Sequence, residues 1–215
     1  MIKLGSNTIT PKGIKKVLLG SDIVYQKTPY TPLTYIESTG TQYIDTGVKP
    51  KYDSSNNCTN YEISLSNQDI TTSTHLFGSR VGYQNDWLII AYSTETNVGY
   101  RIGFEDQRQD TGIMNSNNHI ISLNNGICLI DNVNVRNFSR DVFSNNYNLY
   151  LFACNNAGSL MQPAKMRLYY CKIYNGSTLL RDYIPVLDSN NVACLYDKVT
   201  DTFFYNQGTG DFNYA

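Results

Sequence analysis

The chain has 215 residues, of which 41% are hydrophobic and only 16% charged, and its formal net charge is −1. This length suits one β-sandwich, or one domain with an appendage. The low net charge argues against a nucleic-acid partner, which requires a basic face, and no apolar stretch approaches the roughly 20 residues of a membrane span. Because charged residues usually make up about 25% of a soluble domain, solubility here rests on Asn, Ser, Thr and Tyr. That mixture suits a polyol-binding surface, and an AT-rich genome is the alternative explanation.

Residues 1–28 stand apart from the rest. Segment 2–9 is echoed by segment 17–24, and each pattern predicts a strand, a Gly-Ser-Asn or Gly-Ser-Asp turn and a second strand. Isolated hairpins are marginal in water, so this appendage must pack on the main domain, on sister subunits or on another protein. We interpret it as an assembly module, and the alternative is an extra edge sheet of the same domain. A Pro-containing linker, 29–32, separates it from a main domain at 33–215.

The main domain is predicted to be all-β. Runs 34–37 and 42–45 alternate β-branched or aromatic residues with polar ones around a turn at 38–41, which predicts a first hairpin. Asn124-Asn125-Gly126 is the strongest short hairpin signal, and Asn175-Gly176 repeats it. A dozen short strands with polar turns indicate a two-sheet sandwich. We place them near 42–47, 59–66, 74–79, 86–92, 98–104, 118–123, 126–131, 147–153, 165–174, 178–186, 193–196 and 202–206.

The patterns of cysteines and acids predict neither a metal site nor a catalytic site. None of the five cysteines forms a Cys-x-x-Cys pair and there are two histidines, so we expect free buried thiols, no metal and no cofactor. Glycosidases on sandwiches carry paired acids on one strand, whereas Glu62 is followed at alternate positions by Ser64 and Ser66. Glu105 and Asp106 are adjacent and would face opposite sides of a strand. We therefore expect no catalytic residues and no enzyme.

Two further features are assigned structural roles. His119 begins a strand beside two asparagines, where a satisfied structural side chain is expected. Arg181 and Asp182 are adjacent on a strand, so we expect each to find its partner across the sheet rather than in the other.

A saccharide site requires an aromatic platform with fixed polar partners beside it. The candidate cluster is predicted to be a loop between strands and contains Arg80, Tyr83, Asn85, Asp86 and Trp87, the only tryptophan. The alternative is that Trp87 starts a strand and belongs to the core.

A second polar segment, 104–110, is a further candidate, and the alternative for it is an ordinary solvated turn. Asp106 and Asp110 could serve calcium there, but no metal motif accompanies them.

Segment 33–47 reads Leu-x-Tyr-Ile-Glu-Ser-Thr-Gly-Thr-Gln-Tyr-Ile-Asp-Thr-Gly. Together with 148–153, 164–169, 172–174, 181–186 and 195–210, it resembles, in register, the concanavalin A-like (laminin-G-like) β-sandwich domains of bacteriophage and prophage surface proteins. The resemblance covers roughly 33–212.

The resemblance implies a jelly-roll sandwich with a small N-terminal β-hairpin appendage. It implies a non-enzymatic protein of the virion surface that binds glycans of a host cell or of mucus, attached to other virion proteins through residues 1–28. The competing implication is a capsid decoration or fibre protein without a sugar ligand, and a weaker one is an accessory domain of bacterial glycan processing. Residues 1–25 lack signal-peptide features, which fits release by lysis or a cytoplasmic protein. Weak sugar affinity would favour a trimer or a many-copy array.

Overall fold

The described residues are entirely strands and connecting turns. The computed structural model describes residues 2–4, 7–9, 16–19, 22–26, 30–53, 58–81, 84–93, 98–105, 107–111, 115–139 and 143–215. For the strands before residue 30, for most of 84–98 and 104–109, and for residue 143, it describes the backbone alone. The strands are β1 (Ile2–Leu4), β2 (Asn7–Ile9), β3 (Lys16–Leu19), β4 (Asp22–Gln26), β5 (Thr31–Pro32), β6 (Ile36–Glu37), β7 (Ile44–Asp45), β8 (Lys51–Tyr52), β9 (Thr59–Asn67), β10 (Thr74–Val81), β11 (Gln84–Ser93), β12 (Val98–Glu105), β13 (Gln107–Asp110), β14 (His119–Asn124), β15 (Ile127–Ile130), β16 (Val133–Asn137), β17 (Phe143–Ser144), β18 (Tyr150–Leu151), β19 (Cys154–Asn156), β20 (Ser159–Met161), β21 (Met166–Asn175), β22 (Thr178–Leu187), β23 (Ala193–Asp197), β24 (Thr202–Phe204) and β25 (Asn213–Tyr214).

Two sheets form a sandwich, as predicted. The larger sheet has the order β16-β15-β14-β9-β21-β22-β23-β24, with β5, β6 and β25 paired beside this path. The smaller sheet has the order β13-β12-β11-β10-β18-β7, with β19 and β20 attached to β10. Strand pairs are antiparallel apart from β10 with β19. Such a pairing pattern gives each strand one face toward the core and one toward its outer side.

A single large core lies between the sheets. Tyr61 of the larger sheet meets Phe77 of the smaller one edge-on at 5.1 Å between ring centroids. Tyr100 and His119 make a second contact of this kind at 5.8 Å. Trp87 is fully buried in the same cluster. Aromatic pairs of this geometry add about 0.5–1.5 kcal/mol each to the burial of apolar area.

The predicted hairpin of 34–37 with 42–45 is wrong. β6 pairs with β21 and β25 in the larger sheet, whereas β7 pairs with β18 in the smaller one. The intervening segment 38–43 therefore crosses from one sheet to the other. Its turn is held by Gln42, whose Oε1 accepts hydrogen bonds from Thr39 N (2.8 Å) and Ser38 Oγ (3.0 Å).

Segment 38–43 is hydrogen-bonded to segment 206–211, and we call this the loop contact. Both segments carry part of the family resemblance, so the two resembling ends of the domain touch each other. Their hydrogen bonds are Gln207 N to Tyr43 O (2.8 Å), Thr209 N to Thr41 O (3.2 Å), Thr41 Oγ1 to Thr209 O (2.8 Å), Tyr43 N to Asn206 Oδ1 (3.1 Å) and Gln42 Nε2 to Asp211 O (3.0 Å).

The predicted turn at Asn125-Gly126 is confirmed. Both residues have positive φ, 54° and 84°, as a two-residue mirror-image turn requires, and they join β14 to β15. The second Asn-Gly turn is also found, but the register moves it by one residue. Asn175 pairs with Thr178, so Gly176 and Ser177 form the two-residue loop.

Most long strands lie within a residue or two of their predicted bounds, and the short ones do not. Segments 42–47 and 147–153 contain only two-residue strands, because much of each is turn or loop. The polar segment 104–110 was predicted to be a loop, yet Gln107–Asp110 forms β13 at the edge of the smaller sheet. Its pairing is supported by Asp110, which binds Arg101 of β12 through two hydrogen bonds.

The N-terminal region forms two hairpins, as predicted. β1 pairs with β2 and β3 pairs with β4, each as its own two-stranded sheet. In the segment assigned to the linker, Thr31 and Pro32 pair with β22 as strand β5. Tyr30 packs on Tyr196 with ring centroids 4.4 Å apart.

The five cysteines are buried and free, as predicted. Burial raises the pKa of the Cys128 and Cys194 thiols to about 12, so both stay protonated and unreactive at neutral pH. No helix that could cross a membrane occurs among the described residues.

Candidate functional site

The structure describes the side chains of two members of the predicted 80–87 site, and both are buried. Trp87 is fully buried and its side chain belongs to the core, so the ring offers no exposed face for stacking. Arg80 is also buried, with 6% of its surface exposed. The predicted loop over 80–87 is too long, because β10 extends to Val81 and β11 begins at Gln84. Tyr83 lies outside the described residues, and only the backbone is described for Asn85 and Asp86, so their roles remain predictions.

The residues assigned structural roles have structural partners. His119 Nδ1 lies 2.6 Å from Asp131 Oδ2, and its Nε2 lies 3.1 Å from Asn115 Oδ1. Asp131 also accepts a hydrogen bond from the backbone of Ile120. The hydrogen bonds from His119 and Ile120 lower the pKa of Asp131 despite an opposing effect of burial. The histidine is therefore part of the β14–β15 framework.

Arg181 and Asp182 face opposite sides of β22, as expected. Arg181 Nε lies 3.6 Å from Asp197 Oδ2 on the neighbouring strand, and it also donates to Thr46 O. Asp182 instead pairs with Lys198 at 2.9 Å. These two ion pairs, Arg181 with Asp197 and Lys198 with Asp182, therefore connect β22 to the end of β23.

A concavity lies on the outer side of the larger sheet, and we call it the outer-face groove. It encloses about 500 Å³ at the end of the sheet where β14 and β21 finish and β9 begins. Its lining residues are Asn60, Tyr61, Glu62, Ser122, Leu123, Asn124, Asn125, Leu129, Tyr174, Gly176 and Ser177. Hydroxyls, amides, a carboxylate and an aromatic ring therefore share one open groove.

Strand alternation places these side chains on the outer face. In β14, β9 and β21, the outward residues include Ser122, Asn124, Glu62, Lys172 and Tyr174. Pairing aligns Ser122 with Glu62 and Glu62 with Lys172, and Tyr174 lies one ladder row away, beside Asn60. Rows separated by two residues along a strand are about 7 Å apart. The buried strand neighbours that point to the core are Tyr61, Ile63, Ile121, Leu123, Cys171 and Ile173.

Asn60 fixes the two turns that border the groove. Its Oδ1 accepts a hydrogen bond from Asn125 N (2.7 Å), and its Nδ2 donates to Gly176 O (3.0 Å). The side chain is buried, with 5% of the residue exposed. One amide thus ties the β14–β15 turn to the β21–β22 turn, which preorganises the rim.

Glu62 is the central polar group of the groove. Its Oε1 lies 3.4 Å from Lys172 Nζ. Burial and then the negative charge of Glu62 raise the pKa of Tyr170 to about 12, so the phenol is a protonated donor at neutral pH. Lys172 Nζ also lies 5.4 Å from the Tyr170 ring centroid. Lys172 therefore holds the carboxylate in place, and Tyr174 lines the groove beside it.

A smaller concavity of about 280 Å³ lies beside the loop contact. Its polar side chains already serve the fold. Asn206 binds Tyr43 N, Gly208 N and Gly210 O, and the Tyr205 hydroxyl donates to Asp188 Oδ2. Fewer free hydrogen-bonding groups remain there for a ligand than in the outer-face groove.

Sequence reasoning missed the outer-face groove because its residues come from four separate segments. One local signal was present: Tyr170, Lys172 and Tyr174 alternate on a single strand, which marks one face rich in polar and aromatic side chains. Within the described residues, no group of three or more histidines, cysteines or acids is arranged to hold a metal ion.

The fold and the groove define an antiparallel two-sheet β-sandwich with a polar, aromatic groove on one outer face. Comparison with protein-family models gives no match, and comparison with curated protein sequences gives none either.

Proposed function

We propose that the protein is a bacteriophage or prophage virion surface protein whose sandwich is a concanavalin A-like jelly roll that binds glycans of a host cell or of mucus. The phage assignment rests on the resembling segments in the sequence. The binding assignment rests on the outer-face groove, where Tyr174, Glu62, Ser122 and Asn124 converge.

The groove supplies the groups that saccharide recognition requires. The Tyr174 ring can pack against the C–H face of a sugar, while Glu62 and Asn124 offer fixed partners to its hydroxyls. The groove is open, which suits a chain of sugars better than a small buried ligand. An open site with one ring has an expected affinity near millimolar, about −4 kcal/mol, so adhesion requires several linked copies.

The arrangement of acids supports binding without hydrolysis. Glu62, Lys172 and Asp182 lie side by side on three neighbouring strands, with Lys172 on the middle one. Asp182 forms its own ion pair with Lys198. A glycosidase needs one acid and one base or nucleophile directed at the same bond. Here the intervening ammonium group and the second ion pair oppose that use.

We expect Tyr174→Ala to weaken glycan or host-cell binding about tenfold, because it removes the stacking ring. Its melting temperature should stay within a few degrees of the wild type, since the side chain is half-exposed. The measurement is binding of streptavidin-tetramerised protein to host cells and to a glycan array. Tyr205→Ala is the matched control, because this exposed tyrosine lies outside the groove.

A paired variant, Tyr83→Ala with Asp86→Ala, tests the 80–87 segment in the same assay. Normal binding by Tyr174→Ala, with loss in the paired variant, would move the site to that segment. If no protein binds, including the wild type, the result favours the structural role described next.

The competing function is a capsid decoration or fibre protein whose sandwich contacts only virion neighbours. The observation in its favour is a second aromatic cluster in which Phe203 and Tyr205 join Tyr30 and Tyr196. Tyr205 is 41% exposed. Exposed aromatic side chains grouped in this way are typical of subunit contacts. Protection of this cluster in purified particles, together with an absence of glycan binding, would favour this function.

A further inference from the structure

We infer that the outer-face groove selects uncharged saccharides and excludes acidic ones. This inference rests on the proposed function, because it specifies the ligand class of the same groove. It follows from the charges that line the groove and from the partners those charges already have.

The lining carries one formal charge at neutral pH. Among the described lining residues, Glu62 is the single acid, and the lining contains no lysine, arginine or histidine. The nearest base in register is Lys172, whose ammonium group lies 3.4 Å from Glu62 and over the Tyr170 ring. The next base, Lys198, is 2.9 Å from Asp182. The positive charges beside the groove are therefore already neutralised.

An acidic sugar would meet an unfavourable field in this groove. Its carboxylate would approach Glu62, and like charges at close range repel. To gain a cation it would have to displace Glu62 from Lys172, which exchanges one exposed ion pair for another and adds none. A neutral sugar meets neither cost, since its hydroxyls can approach Glu62 as donors.

The hydrogen-bonding capacity of Glu62 fits such donors. An ionised carboxylate accepts about four hydrogen bonds, and the Lys172 ammonium occupies one of these positions. The remaining positions can accept hydroxyls of a ligand, and bonds from hydroxyls to a carboxylate are stronger than neutral ones. Two hydroxyls of one sugar ring can use them together, with Ser122 and Asn124 as neutral partners alongside.

The test is an array of neutral polysaccharides (mannan, dextran and laminarin) and acidic ones (polygalacturonate, hyaluronate and polysialic acid), probed with the tetramerised full-length protein. We expect binding only to neutral probes, with a change of less than about twofold between roughly 50 and 500 mM NaCl, because no ion pair with the ligand is screened. Glu62→Gln should weaken that binding about tenfold, since charge-assisted hydrogen bonds are lost. Lys172→Met should weaken neutral binding less than Glu62→Gln does, because Lys172 positions the carboxylate without bonding the ligand, and it should create no binding to acidic probes.

The contrary outcomes are distinct. Binding to acidic probes that falls steeply with salt and disappears in Lys172→Met would overturn the neutral-ligand inference and leave glycan binding intact. Failure of all six probes to bind would overturn the proposed glycan-binding function and this inference together.

Discussion

Gly208→Ala is expected to destabilise the sandwich by about 3 kcal/mol or more. A Cβ atom at this position would lie 2.0 Å from Thr41 O and 3.2 Å from Gln42 Cα. Both neighbours are backbone atoms, so no side-chain rotation relieves the overlap, and overpacking of this kind costs about 1–3 kcal/mol or more. The substitution should therefore break the loop contact between 38–43 and 206–211. Urea denaturation measures the loss.

Gln207→Ala is the matched control for this change. Its side chain is exposed, and its backbone N–H to Tyr43 O would remain, so its free energy of unfolding should change by less than about 0.5 kcal/mol. A Gly208→Ala protein as stable as the control would show that the two segments are not packed as described.

Asp197→Ala is expected to lower the free energy of unfolding by about 3–5 kcal/mol. Asp197 is fully buried, and its Oδ1 accepts hydrogen bonds from Asp182 N (2.8 Å) and Val199 N (3.1 Å). Its Oδ2 accepts one from Thr200 Oγ1 (2.7 Å) and pairs with Arg181. Removing one partner of a buried pair leaves a charge without compensation, and it also leaves two backbone donors unsatisfied.

Chemical denaturation of Asp197→Ala beside Asp211→Ala measures this effect. Asp211 is exposed, and its backbone oxygen accepts a hydrogen bond from Gln42 Nε2 that the substitution retains. A loss below about 1 kcal/mol for Asp197→Ala would mean that the carboxylate does not organise the β22–β23 junction.

The long strands could be predicted from the sequence because their signals are local. β21 alternates buried and more exposed residues along most of its length, and the Gly176-Ser177 turn that follows it determines its hairpin partner, β22. The failure at 34–45 has a different cause. Strand propensity does not specify a partner, and β6 and β7 pair with residues more than a hundred positions away, in different sheets.

The candidate site could not be predicted from the sequence for the same reason: local patterns do not specify which strands become neighbours. Clustering along the chain suggested residues 80–87, yet Trp87 and Ile89 alternate on β11 as fully buried residues, a pattern typical of a core-facing strand. The groove residues are adjacent only because β14, β9 and β21 pair in one register. That Ser122 lies beside Glu62, some sixty residues earlier, is a property of the sheet, not of any local motif.

The most direct test of glycan binding in the outer-face groove is an NMR titration of ¹⁵N-labelled protein with a soluble oligosaccharide from the strongest array probe. We predict that the amide resonances of 60–62, 122–126 and 174–177 shift together, because these segments line one groove. Shifts confined to 82–86, or no shift at all with a probe that binds on the array, would contradict the assignment.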